Sequence, residues 1–211
     1  MTHESEPDLL VMHALRLKGF AEPSQIVEAT ALTQEVTVDI LDDLSVNGAA
    51  THREGRISGW ALTAEGRERH RKQLLDERDA AACTELLDRC YQGFLSCNES
   101  FKQLCTDWQL RSVDGELVVN DHTDAAHDEV VVGRLGALHR QVLPVLDDLA
   151  GALRRFGTYR ERLATANDRF QRGEREALAR PLSGSYHDVW MELHQDLLFT
   201  LDRERAAADG D

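Results

Sequence analysis

Proline is scarce in this chain, four in 211 residues, aromatics make up only 6%, and 24 Lys and Arg face 38 Asp and Glu. Each shortage excludes something. With few prolines, long stretches are free to be helical. No run approaches the ~18 apolar residues of a membrane-spanning helix, and the first eight residues are acidic where a secretory leader would be basic, so the expectation is a cytoplasmic protein with no membrane partner. The net charge of −14 opposes a generally nucleic-acid-attracting surface while leaving room for a local basic patch. Four cysteines, three of them on one helical face, do not make a secreted disulfide framework. Phosphate-cradling glycine loops and the Gly-x-Ser-x-Gly elbow are missing, as are His-x-x-x-His and Cys-x-x-Cys. No catalytic residues, no metal site and no cofactor are therefore expected, and the chain does not read as an enzyme.

What the sequence does have is one long apolar stripe. Cys83, Leu87, Cys90, Phe94, Cys97, Phe101, Leu104 and Trp108 alternate at steps of four and three, the rhythm of a helix with a single narrow seam. Good helix formers precede it, so one helix can run over 63–108 unless it bends among the alanines at 80–82. Cys83, Cys90 and Cys97 stand about 10 Å apart along that helix, too far for a shared metal or an internal bridge. Small buried hydrophobes is their expected role, with pairing across a parallel dimer seam as the alternative.

Ahead of the stripe, Pro7 opens a helix that Gly19 stops, Pro23 opens a short second helix, and a third runs from near Thr33 to a Gly48 cap with Val36, Ile40, Leu41 and Leu44 on one face. Residues 49–54 and 57–63 then form a small hairpin, and Thr63 caps the next helix. Beyond the stripe, Asp114-Gly115 marks a second hairpin. A helical stretch follows in which Pro144 should kink or divide the chain, then a helix opened by a Thr158/Glu161 capping box, and last a helix begun by Ser185 with Asp188. The expected fold class is mainly α, with an N-terminal domain over 1–78 and a helical domain with one hairpin over 79–211.

The stretch that begins at Leu44, LSVNGAATHREGRISGWALTAEGR, resembles the MarR-type winged helix-turn-helix regulators. In that family the recognition helix ends in a glycine, and a hairpin wing leads to an LT-x-x-G-R helix start. Gly48, Arg53, Leu62, Thr63, Gly66 and Arg67 stand at the matching places. The resemblance covers about the first 80 residues and implies a transcriptional regulator that binds double-stranded DNA, typically as a homodimer. Gln34 and Thr37 would then face bases, and His52, Arg53, Arg56, Arg67 and Arg71 would hold phosphates.

Charge pulls the other way. Residues 1–78 carry nine Lys and Arg against fourteen Asp and Glu, and the third helix has Glu35, Asp39, Asp42 and Asp43 with no Lys or Arg at all. Carboxylates repel phosphates. The alternative is a winged helix used for protein contact. In the C-terminal domain, Trp108, Arg155, Tyr186, His187 and Trp190 are candidates to line a pocket for a small-molecule effector. His122, His127, His139, His187 and His194 lie near several aspartates but without metal-ligand spacing.

Overall fold

The computed structural model describes residues 2–55, 58–113 and 115–204. Arg56 and the Asp114 of the second predicted turn fall outside them. The fold is mainly α. Helices α1 (Pro7–Lys18), α2 (Pro23–Thr30) and α3 (Gln34–Val46) lead into an antiparallel hairpin, β1 (Ala50–Arg53) with β2 (Gly59–Leu62), and then α4 (Ala64–Ala80). The second part comprises α5 (Thr84–Gln109), the hairpin β3 (Leu110–Val113) with β4 (Glu116–Val119), α6 (Ala125–Ala152), α7 (Gly157–Gln171), a single-turn α8 (Glu176–Ala179) and α9 (Tyr186–Thr200). Among the described residues no helix is long and apolar enough to cross a membrane.

Local chemistry accounts for most boundaries. Pro7 and Pro23 sit in first turns, where a missing N–H costs nothing. Thr33 Oγ1 accepts the Val36 N–H (3.3 Å) and Thr63 Oγ1 the Gly66 N–H (3.0 Å), and Ser185 with Asp188 forms the expected capping box. Gly66 is fixed by a close approach: a Cβ there would stand 1.9 Å from the Ala49 carbonyl oxygen. The helix therefore passes directly over the start of β1. Ala21 exchanges backbone hydrogen bonds with Trp60 (3.0 and 2.8 Å), tying the α1–α2 link to the hairpin.

The expected helix over 63–108 bends where its alanines allowed: it breaks at Ala81–Cys83, where Ala82 takes a left-handed φ of 48°, and the apolar stripe starts at the N-cap Cys83 and runs through α5. Two helical expectations need correcting. Pro144 does not divide α6, which runs for 28 residues. Finally, α7 has no Thr158/Glu161 capping box; it grows directly out of a 3-10 turn, Arg154–Phe156, and starts at Gly157.

Two apolar cores result. One joins Val11, Met12, Leu15, Ile26, Leu41, Leu44 and Leu62. The larger contains the whole α5 stripe, packed against α6 and the aromatic face of α9. Trp190 stacks on Phe94 (4.7 Å between ring centroids) and lies 4.9 Å from Phe101. The seam is thus filled by the chain's own helices and is not a coiled-coil dimer face. Burial pushes the seam thiol of Cys90 up to about 11 and raises those of Cys83 and Cys97, so all three stay protonated at neutral pH.

Candidate functional site: an acidic helix face beside a buried polar junction

The outward side of α3 is built from Glu35, Val38, Asp39, Asp42 and Val46, one stripe at helical spacing, all exposed. Val46 is 86% exposed, an apolar side chain with nothing on it. The inward side is Thr37, Leu41 and Leu44, spaced four and three apart and buried. Thr37 is 0% exposed and cannot reach a partner outside the fold, which removes it from the predicted contact set. Gln34 remains exposed.

The predicted phosphate-holding cations are largely occupied. Arg67 Nη1 donates to the Leu62 carbonyl (2.9 Å). Arg71 makes a bidentate pair with Asp202 at the end of α9 (2.6 and 2.5 Å) and also contacts Glu68. Arg69, beside them, pairs with Asp8 (3.0 Å). On the hairpin, His52 leans on the Trp60 ring, 5.1 Å between centroids, and Arg53 is exposed. Arg56 lies outside the described residues.

Behind this surface lies a constellation that the sequence reading missed. Arg155, on the 3-10 turn, is directed between α1, α4 and α9, with its side chain 4% exposed. Its Nε donates to Glu77 Oε2 (3.1 Å), Nη1 to Asp196 Oδ1 (2.5 Å) and Nη2 to Thr200 Oγ1 (2.7 Å). Asp196 also accepts from the Tyr159 hydroxyl (3.0 Å) and lies 3.0 Å from His13 Nε2. His13 Nδ1 is in turn 2.9 Å from His70 Nε2. With Asp196 ionised, the consistent proton arrangement has His13 Nε2–H donating to Asp196 and His13 Nδ1 accepting from His70. Arg155 Nη1, 3.2 Å from His13 Nε2, is then a second donor converging on the same carboxylate oxygen.

Electrostatics follow from this geometry. Burial alone would raise Asp196, but Arg155 and His13 hold its carboxyl well below the usual carboxylate range. Arg155 is raised, because Asp196 and Glu77 outweigh its desolvation. His70 is lowered to about 2, by burial first and then by His13, Arg155 and Arg16. Tyr159 is pushed far up by burial and by Asp196. These groups are enclosed and linked to one another by hydrogen bonds, with Glu77 Oε1 left without a partner among the described residues. The arrangement can hold helices together and has no open face for a reactant.

No known protein family, curated protein or solved structure matches this chain.

The junction joins the two cores: His13, His70 and Glu77 come from the first half of the chain and Arg155, Tyr159, Asp196 and Thr200 from the second. Reinforcement comes from Arg16 over the Phe199 ring (4.4 Å) and from a backbone bridge in which His3 N–H donates to Ala152 O and Arg154 N–H to His3 O, both 3.0 Å. The acidic face of α3 is presented on a unit held to the bundle along α1, α4 and the chain start.

The five predicted pocket residues do not share one pocket, although Tyr186 and Trp190 stack on each other in the core, 5.9 Å between ring centroids. Arg155 is in the junction. Tyr186 and Trp190 are fully buried core residues, and Trp108 packs between Phe170 and His122. His187 alone borders an open groove, between α5 and α9. Among the histidines, His122 is bonded to Asp128 (3.0 Å) and His127 to the Asp107 carbonyl (2.7 Å). No group of three or more His, Cys, Asp or Glu among the described residues could hold a metal ion.

Proposed function

We propose that this chain is a non-catalytic regulatory protein whose N-terminal unit makes its contact through α3, with a basic, partly apolar segment of a protein partner. The observation that carries the reading is the outward stripe of Glu35, Val38, Asp39, Asp42 and Val46, exposed and without a cation. Facing a duplex, it would set carboxylates against phosphates, with Arg67 and Arg71 already committed to Leu62 and Asp202. Facing a lysine-rich amphipathic helix, the same stripe is complementary in charge and covers its own exposed valines. The order helix, helix, helix, hairpin, helix supports the winged-helix resemblance, and that fold serves either use.

A DNA-binding reading keeps support from one place, the hairpin, where His52 and Arg53 are exposed. Fluorescence anisotropy of the full chain separates the two. Any duplex is expected to bind more weakly than about 10 µM at about 200 mM salt, as non-specific phosphate contact does. A labelled lysine–leucine amphipathic peptide should bind and lose about tenfold or more in the Asp39→Lys, Asp42→Lys double variant. Tight duplex binding that prefers one sequence and weakens in Arg53→Ala would overturn the proposal in favour of DNA.

A further inference from the structure

The groove between α5 and α9 stands apart from the rest of this acidic molecule. It has a volume of about 290 Å³, and none of its lining residues is Asp or Glu, although the chain carries 38 of them. Its polar groups are Lys102, Asn98, Thr106, Gln109 and the imidazoles of His187 and His194; its apolar lining includes Phe101 and Met191. Lys102 forms no ion pair among the described residues.

Asn98 gives the site its chemical sense. The residue is only 6% exposed, and its Oδ1 accepts the indole N–H of Trp190 at 2.8 Å. That bond commits the carbonyl oxygen, so the amide N–H2, two donors, is what Asn98 has left to offer. Trp190 is itself fixed between Phe94 and Phe101, which makes the orientation rigid. An ammonium and a pre-oriented amide donor beside an aromatic and thioether wall suit a charged acceptor on a carbon skeleton.

We propose that this groove binds a small organic carboxylate, with its carboxylate held by Lys102 Nζ and the Asn98 amide and its carbon skeleton against Phe101 and Met191. The size is at the lower end of ligand pockets, which run from roughly 300 Å³ upward, and so fits a compound of metabolite size. The site is independent of α3 and stands or falls separately from the partner proposed above. It also gives Trp190 a role beyond packing, as the residue that aims Asn98.

The test is isothermal titration calorimetry of the full chain with hexanoate, succinate and 3-phenylpropionate, each compared with its own amide. At least one carboxylate is expected to saturate the protein, its amide binding about tenfold more weakly or worse. Lys102→Met, which keeps the aliphatic stem of a half-exposed residue, should lose about tenfold. Trp190→Phe should preserve an aromatic in the stack while weakening the same ligand, and the thermal midpoint of each variant establishes that it is folded. The proposal is overturned if no carboxylate saturates up to about 10 mM, if carboxylate and amide bind alike, or if folded Lys102→Met binds as the wild type does.

Discussion

Replacing Arg155 by alanine is expected to lower folding stability by about 3–5 kcal/mol in denaturant unfolding at neutral pH, the range for a buried ion pair that loses one partner. The loss does not reflect a large net gain from the pair itself, since two charges taken from water recover little more than their desolvation cost. It arises because Asp196 and Glu77, 2% and 6% exposed, would be left in the interior with no cation, and Thr200 would lose a donor. An exposed pair provides the contrast. Arg160 faces Asp147 with both side chains about half exposed, and Arg160→Ala is expected to change stability by less than about 1 kcal/mol. Equal losses in the two variants would show that burial at the junction carries no special weight.

Mild acid is expected to weaken the fold, and His70 is the residue to follow. Its folded-state pKa of about 2 lies far below the ordinary 6.5, so the native state keeps it neutral where the unfolded chain takes up a proton. Stability from this residue is complete above pH 6.5 and falls as the pH drops below it, by up to about 1.4 kcal/mol per unit, or roughly 2–3 kcal/mol by pH 4.5. His139 and His187, also lowered by burial, act in the same direction. Asp196, whose pKa is depressed, contributes stability that persists through this window and is lost only below the ordinary carboxylate range. His70→Gln, which keeps a donor for His13, should therefore flatten the pH dependence of unfolding between pH 6.5 and 4.5 by about one proton. An unchanged slope would mean that His70 titrates normally inside the fold.

The parts of the fold that were legible beforehand are those governed by short-range chemistry. The α5 stripe was visible because eight residues kept one helical face, and Pro7, Thr63 and Ser185 marked helix starts because capping depends on a few neighbouring groups. The break at Ala82 falls among the alanines that marked the possible bend, but its left-handed turn has no local signal, since alanine favours helix. Thr37 shares the spacing of Leu41 and Leu44, so helical periodicity places it on the buried face despite its polarity.

The junction was opaque for a different reason. Its members, among them His13, His70, Glu77, Arg155 and Asp196, are scattered over about 180 residues, and no spacing in the sequence links one to another. A partial signal existed in α4, where Gly66, His70, Leu74 and Glu77 lie on one buried face, and in α1, where His13 interrupts an apolar run. A polar residue at a core position implies a buried partner. It does not say where that partner comes from.

The junction is expected to make the N-terminal unit and the bundle one cooperative body, so that the α3 face is held in a fixed pose. Native-state amide hydrogen exchange tests this most directly, comparing the amides of Leu74 in α4 and Leu197 in α9. The two opening free energies are expected to agree within about 1 kcal/mol, because both amides wait for the same global unfolding. Exchange at Leu74 through an opening several kcal/mol easier than that at Leu197 would show the two units separating on their own and would contradict it.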